Sequence, residues 1–292
     1  LTNNTGSGGT TASVTGAVAG DITNQATLTV TAGSIGGNID NSGTTTINGA
    51  TTVDGTINNT NGSTTINDSV TGTSASLTNA SGATATINTG GSLSGDLTNS
   101  GTATVDGSVG GASTNNAGGV LTSDGGSFTG LITNDGTFTV VNSVTASGGF
   151  TNNDQLNGSS SSQLDVTGTF TNAASGTITN TDGIGSGDFV ITATTLDNQG
   201  AIVGDVNIQA TINNTGTITY VGGETINDTV NNLAAGTIDA NGAADYQGKD
   251  LNNEGDVNVN AGGALNNVGT LANSGAGTVD VAGTGAITAT TL

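Results

Sequence analysis

The sequence predicts an all-β chain wound as a right-handed parallel β-helix, a β-solenoid of roughly 14–16 coils at about 19 residues per coil. Three observations predict it. A short phrase returns along almost the whole chain: an aliphatic residue, a polar residue, an asparagine, a Gly-containing turn and an alternating strand, as in Ile132-Thr133-Asn134-Asp135-Gly136-Thr137-Phe138-Thr139-Val140. Within each repeat, apolar residues alternate with Thr, Asn, Ser or Asp, which is the period of a strand with one face buried. No segment places apolar residues at i, i+3, i+4, i+7, so no helix is predicted.

The asparagine of the phrase marks each lap. It falls at Asn24, Asn41, Asn59, Asn79, Asn99, Asn116, Asn134, Asn152, Asn172, Asn198, Asn214, Asn232, Asn253 and Asn267, at steps of 14 to 26 residues. Asn116 fits least, because no large aliphatic stands two places before it. Successive coils would rise by about 4.8 Å, giving a rod on the order of 70 Å long, and the handedness of parallel crossovers makes the winding right-handed. An Asn amide carries two donors and two acceptor lone pairs. Stacked in register, each amide can bond the one above and the one below, as in the Asn ladders of cross-β structures. Asn is also a common turn residue that tolerates left-handed backbone. Its return at one phase of the repeat favours the ladder, and under either reading its role is structural.

One coil alone is unfavourable. Its three to five inward aliphatics contribute about 1.5–3 kcal/mol each, whereas ordering its backbone costs roughly 1–2 kcal/mol per residue. Stability must come from neighbouring coils, through shared backbone ladders and a shared core.

Along the chain, residues 1–20 are rich in Gly, Ser and Thr, with Val14 and Val18 as weak core signals. The repeat is cleanest from Asp21 to Asp106, blurs near Gly110-Gly111-Ala112 and Gly125-Gly126, and recovers at Ile132. Ser159-Ser160-Ser161-Ser162 is expected to bulge as a loop. Thr181-Asp182-Gly183-Ile184-Gly185-Ser186-Gly187-Asp188, inside the longest step, reads as a surface excursion, and Asn241 to Asp250, with Tyr246 and Lys249, as a second irregularity. The strand pattern still runs at Ile287-Thr288-Ala289-Thr290-Thr291-Leu292. Residues 1–292 are therefore expected to form a single β-solenoid segment of a longer repeat array, with any signal peptide or anchor outside it.

Composition narrows the function. Leu, Ile, Val and Phe are 60 of 292 residues, on the border of disordered compositions, yet they are phased rather than scattered. Fifty-one Gly and no Pro suit tight corners and uninterrupted ladders. Twenty-two acids face one base, Lys249. Phosphate backbones need clustered Lys or Arg, so nucleic acid is excluded as a partner, and anionic membrane surfaces are disfavoured. Most acids, such as Asp21, Asp40, Asp54, Asp68, Asp96 and Asp106, read as turn residues that keep the molecule soluble. With no Cys, redox compartment is unreadable, and no apolar run is long enough for a transmembrane helix.

Catalytic chemistry is poorly supplied. With no His or Cys, a nucleophile–base pair has no base beyond Lys249. The densest acids, Asp250, Glu254 and Asp256, are weighed as a two-carboxylate site and read instead as a solvated corner. No enzyme and no cofactor are expected. Calcium is the single alternative: the nine-residue calcium-binding repeat does not recur, but Asp182 and Asp188 could ligate one ion.

The Thr-x-Thr elements are the other candidate surface. Thr27/Thr29, Thr44/Thr46, Thr84/Thr86, Thr102/Thr104, Thr137/Thr139, Thr177/Thr179 and Thr217/Thr219 each flank a residue that should point inward, among them Leu28, Ala85, Ala103, Phe138, Ile178 and Ile218. Stacked coils would present outward Thr rows. Such a grid resembles the surface of β-helical ice-binding proteins, whose coils are uniform in length; these are not. Thr is also simply a good outward strand residue.

The phrases Leu97-Thr98-Asn99-Ser100-Gly101-Thr102, Ile212-Asn213-Asn214-Thr215-Gly216-Thr217-Ile218 and Leu265-Asn266-Asn267-Val268-Gly269-Thr270-Leu271 resemble the passenger repeats of bacterial autotransporter adhesins, most of all the self-associating kind that aggregates cells. The resemblance covers most of residues 20–292 and lies in repeat style. It implies a secreted β-helix displayed on a bacterial cell surface, acting in cell–cell aggregation, surface attachment and biofilm, with a second copy of itself or surface glycans and proteins as partners. The leading expectation is thus a non-enzymatic adhesin that works by repeated polar contacts. The alternatives are a subunit of a self-assembling extracellular filament and an ice-binding protein using the outward Thr rows.

Overall fold

The computed structural model describes residues 1–5, 10–182 and 188–292. Within them the chain is all-β, with no helix, and its parallel strands stack as a β-solenoid of about 15 turns at about 19 residues per turn. Contacts divide it into two units: Leu1–Thr139 with Val144–Gly148, and Val140–Ser143 with Gly149–Leu292.

In the first unit each full turn contributes a strand to each of three faces, exemplified by Ile22–Asn24, Thr27–Val30 and Gly33–Ile35. On the first face, Ile22, Ile39, Ile57, Leu77, Leu97, Ser113 and Ile132 stand in one Cα register. On the second, Leu28, Thr45, Thr64, Ala85, Ala103 and Leu121 do the same. The third face is shorter and looser, with Val70, Leu93, Val109, Phe128 and Ala146 in register. All these positions are buried. Strand alternation therefore builds the core as stacked columns, aliphatic for the most part and interrupted by Thr45, Thr64 and Ser113. The Phe128 and Phe138 rings meet edge-on at 6.0 Å.

Turns vary in length, but the variation is confined to corners. Two residues separate Asn41 from the strand Thr44–Ile47, whereas four separate Asn79 from Thr84–Ile87. The second-face strands nevertheless pair residue for residue. Glycine is needed where the corners pass closely: a Cβ on Gly43 would collide with the Ala26 carbonyl oxygen of the preceding turn.

The second unit uses the same register. Phe150, Phe170, Leu196, Ile212, Val230, Leu251 and Leu271 line the first face, and Leu156, Ile178, Ile202, Ile218, Ile238 and Val257 line the second. Two strands, Phe189–Asn198 and Val206–Asn214, run on from the third face into the first, with a register shift between Thr192 and Thr195. Gly183, Ile184, Gly185, Ser186 and Gly187 of the expected excursion lie outside the described residues. Ser159–Ser162, expected as a bulging loop, closes as a compact turn: Ser161 has φ 70° and the Ser162 hydroxyl donates to the Ser159 carbonyl at 2.7 Å. The expected irregularity at 241–250 contains a third-face strand, Ala243–Asp245. Tyr246 follows it, fully buried, with its hydroxyl 3.1 Å from that of Tyr220. Lys249 is exposed.

Candidate interaction faces

The asparagines that end first-face strands form a hydrogen-bonded column in each unit. In the first, the column runs Asn3, Asn24, Asn41, Asn59, Asn79, Asn99, Asn115, Asn134, each Nδ2 donating to the next Oδ1 at 2.7–2.9 Å. In the second it runs Asn152, Asn172, Asn198, Asn214, Asn232, Asn253, Asn273, at 2.7–2.8 Å. The same Nδ2 also donates to a carbonyl at the start of the next second-face strand, as Asn24 does to Thr44 at 2.9 Å and Asn99 to Val120 at 3.0 Å. Each amide thus bonds its counterpart and pins the corner above. Where Thr45 and Thr64 interrupt the aliphatic wall, their hydroxyls accept from Asn24 and Asn41 at 3.2 Å, so neither hydroxyl is buried without a partner.

Two positions correct the sequence assignment. Asn267 is not in the column: it has φ 54°, is exposed, and its Nδ2 donates to Asp245 at 2.9 Å. Leu265 pairs with Ala244 on the third face, and the first-face register continues through Leu271 to Asn273. The phrase around Asn267 is a decoy, because a 14-residue lap is too short to supply three strands and three corners. The column also takes Asn115 rather than Asn116, whose side chain bonds Ser100 at 2.8 Å. The signal was hidden because Ser113 occupies the aliphatic position between Leu97 and Ile132. Asn3 also belongs to the column and was missed although Leu1-Thr2-Asn3 carries the aliphatic-polar-Asn signal; Leu1 itself is exposed.

The second face carries the Thr rows. In the first unit, Thr29, Thr46, Thr65, Thr86, Thr104 and Thr122 share one register, and Thr27, Thr44, Ser63, Thr84, Thr102 and Val120 share the other. They are half-buried or exposed, while Leu28, Ala85, Ala103 and Phe138 between them are buried. Thr137 and Thr139 close the series on Thr137–Val140. In the second unit the rows are broken: Thr177 and Thr179 pair with Ala201 and Val203, which pair with Thr217 and Thr219, and these with Thr237 and Asp239.

Outward amides form further ladders. On the first face of the second unit, Asn213 donates to Asp197, Asn231 to Asn213 and Asn252 to Asn231, at 2.9–3.0 Å. Asn207 and Asn227 continue from Asp188, Asn58 bonds Asp40, Asn258 bonds Asp239, and Asn67 and Asn88 stack on Asn48. These run opposite to the buried columns: here the later turn donates to the earlier one. An ionised Asp only accepts, which is why Asp40, Asp188, Asp197 and Asp239 stand on the earlier side of each pair.

The acids weighed for chemistry stand apart along the chain, most of them accepting hydrogen bonds. Asp182 accepts from the Ser160 backbone N–H and hydroxyl, both at 2.8 Å, which hold its carboxyl below the usual range. Asp188 accepts from Asn207. Asp250 accepts from the Thr270 N–H at 2.8 Å, Asp256 from the Thr278 hydroxyl at 2.7 Å, and Glu254 sits exposed in the corner between. Among the described residues no three acids gather as a metal-ligand group. Sequence reasoning missed a buried pair, Asp205 and Glu224. Burial pushes the Glu224 carboxyl up, Asp205 adds to this, and the Val221 and Gly222 N–H groups that it accepts from oppose it. Burial likewise raises the phenols of Tyr220 and Tyr246.

No protein-family model matches the chain, and no curated protein matches it. Among solved structures it is similar to a crystal structure described as a TibC-catalysed hyper-glycosylated TibA fragment, with 18% sequence identity and a TM-score of 0.48, covering 98% of this chain and 97% of that chain. Similarity at this level assigns neither a family nor an activity.

Proposed function

We propose that this chain is a non-enzymatic, extracellular β-solenoid that acts in adhesion, through repeated weak polar contacts along its outward strands, with a second copy or a surface glycan or protein as partner. The observation that carries this reading is the set of outward amide ladders, above all Asp197, Asn213, Asn231 and Asn252. They fix donors and acceptors at the spacing of neighbouring strands, about 4.8 Å. Preordered side chains lose little entropy on binding, and many weak contacts in register add up to avidity. A net charge of −21 with one base fits a surface that meets neutral polar partners. The repeat style of Leu97-Thr98-Asn99-Ser100-Gly101 supports display outside a bacterial cell.

Beads coated with the protein test this directly. Clumping that rises with coating density, and falls when Asn213, Asn231 and Asn252 are together changed to Ala, is the expected result. Beads that stay dispersed at every density overturn it.

A further inference from the structure

We infer that Asn48 and Asn241 are sites of self-modification, each losing its side-chain amide as ammonia and becoming a carboxylate without an enzyme. The outward ladders point to them. In each ladder the later turn donates to the earlier one, so the first rung only accepts. That rung is an aspartate at Asp40, Asp188, Asp197, Asp239 and Asp245. Two ladders begin instead on asparagine: Asn67 donates to Asn48, and Asn260 to Asn241, both at 2.7 Å. Both of these asparagines are followed by glycine, Gly49 and Gly242, and no other asparagine of the outward ladders is.

The geometry supplies what the reaction needs. The Gly49 backbone nitrogen attacks Asn48 Cγ and gives its proton to water; the Cγ–Nδ2 bond breaks, ammonia leaves and a succinimide ring closes. Water then opens the ring. Attack at Cγ breaks its bond to the Gly49 nitrogen and leaves aspartate; attack at the Asn48 backbone carbonyl carbon breaks the other C–N bond and leaves isoaspartate. Water is consumed and ammonia released, with no change of oxidation state. Glycine has no Cβ to hinder the approach of its nitrogen. Negative charge develops on Oδ1 during the attack, and the Asn67 amide already donates to that oxygen, where a fixed donor stabilises the charge. The departing Nδ2 of Asn48 makes no hydrogen bond among the described residues, whereas those of Asn67 and Asn88 are each tied to the preceding rung. Asn48 and Asn241 are both exposed, so water reaches them. The two differ in one respect: the Gly242 N–H donates to the Tyr220 carbonyl at 3.1 Å, and the Gly49 N–H has no such bond. Asn48 is therefore the faster site.

The product fits the ladder. An ionised aspartate only accepts, which is all that the first rung does, and a charged acceptor makes the stronger bond. Conversion brings both positions to the state already present at Asp40 and Asp197, and adds a negative charge at each. The fraction converted rises with the age of the chain, so the outward charge records the time since folding. The remaining Asn-Gly pairs lack this arrangement. Asn61 lies at an exposed corner outside the ladders. Asn157 lies within the strand Gln155–Gly158, with Gly158 buried against the Phe189 ring.

The test incubates the folded full chain at mildly alkaline pH and follows each Asn-Gly pair by tandem mass spectrometry of its peptides. Asn48 is expected to convert at least as fast as Asn61, Asn241 more slowly, and Asn157 not at all. Asn67→Ala removes the donor and should slow Asn48 by roughly three- to tenfold, the effect of one exposed hydrogen bond, while Asn61 keeps its rate. Asn67→Asp, similar in shape but without a donor when ionised, should act likewise. An intact Asn157 shows that a sample stayed folded, because unfolding exposes every Asn-Gly pair alike. Asn48→Asp should melt no lower than wild type. An Asn48 that keeps its amide while Asn61 loses its own, a rate at Asn48 unmoved by both Asn67 variants, or an Asn48→Asp chain that melts lower would each overturn the inference.

Discussion

At the scale of single residues, the buried asparagines do two things at once: they satisfy one another and they fasten a corner. Asn99 accepts from Asn79 and donates to Asn115, Gly101 and Val120. Asn99→Leu should destabilise the first unit by about 1–3 kcal/mol for each polar group left without a partner. Combining it with Asn115→Leu should cost less than the sum, because the two share a bond; chemical denaturation of the four proteins measures the coupling. Ser113 is the opposite case. Its hydroxyl is buried with no hydrogen-bond partner among the described residues, between Leu97 and Ile132. Ser113→Val should stabilise by about 1 kcal/mol, read as a higher denaturation midpoint. Glu224 is the residue where pH enters. Its folded pKa lies above the unfolded value, so its contribution is fully present at acidic pH and is lost as pH rises through the folded pKa. Glu224→Gln should therefore melt higher than wild type at pH 7.5, and the gap should close towards pH 4. A gap constant with pH would remove Glu224 as the titrating group.

At the scale of elements, the corners carry as much information as the strands. Gly43 lies under the Ala26 carbonyl, so Gly43→Ala should force the turns apart and cost about 1–3 kcal/mol, checked by thermal melting. The strands themselves were legible because alternation and phase are local properties: Ile22, Leu28 and Val30 announce an inner wall without knowledge of their neighbours, and all three are buried. What was not legible depends on the preceding turn. The decoy at Asn267 copies the phrase, but only the pairing of Leu271 with Leu251 decides the register. Ser113 hides a core position because stacking against Leu97 and Ile132 places it, not its own hydrophobicity. Asp205 and Glu224 look like any other acids in sequence, and they are buried at the turn after Tyr220, where Val221 and Gly222 donate to Glu224 and Gly223 lies close to Asp205. The opposed sense of the inner and outer amide ladders has no sequence signal beyond Asp standing on the earlier side.

At the scale of the whole molecule, the two units keep one inner plan and differ in what they show to solvent. Both wind three faces around stacked aliphatics and an Asn column. The first displays an uncharged Thr surface on its second face, and the second displays Asp and Asn at the same outward positions. Inner constancy with outer variation is how a solenoid separates stability from recognition, since an outward residue can change without disturbing the register. The account as a whole depends on that register. Its most direct test is a crystal structure of the chain at a resolution that separates side-chain amides. The account predicts the Asn79, Asn99 and Asn115 amides stacked in one column, with each Nδ2 within hydrogen-bonding distance of the next Oδ1. Asparagines displaced from one column, or facing solvent, would contradict it.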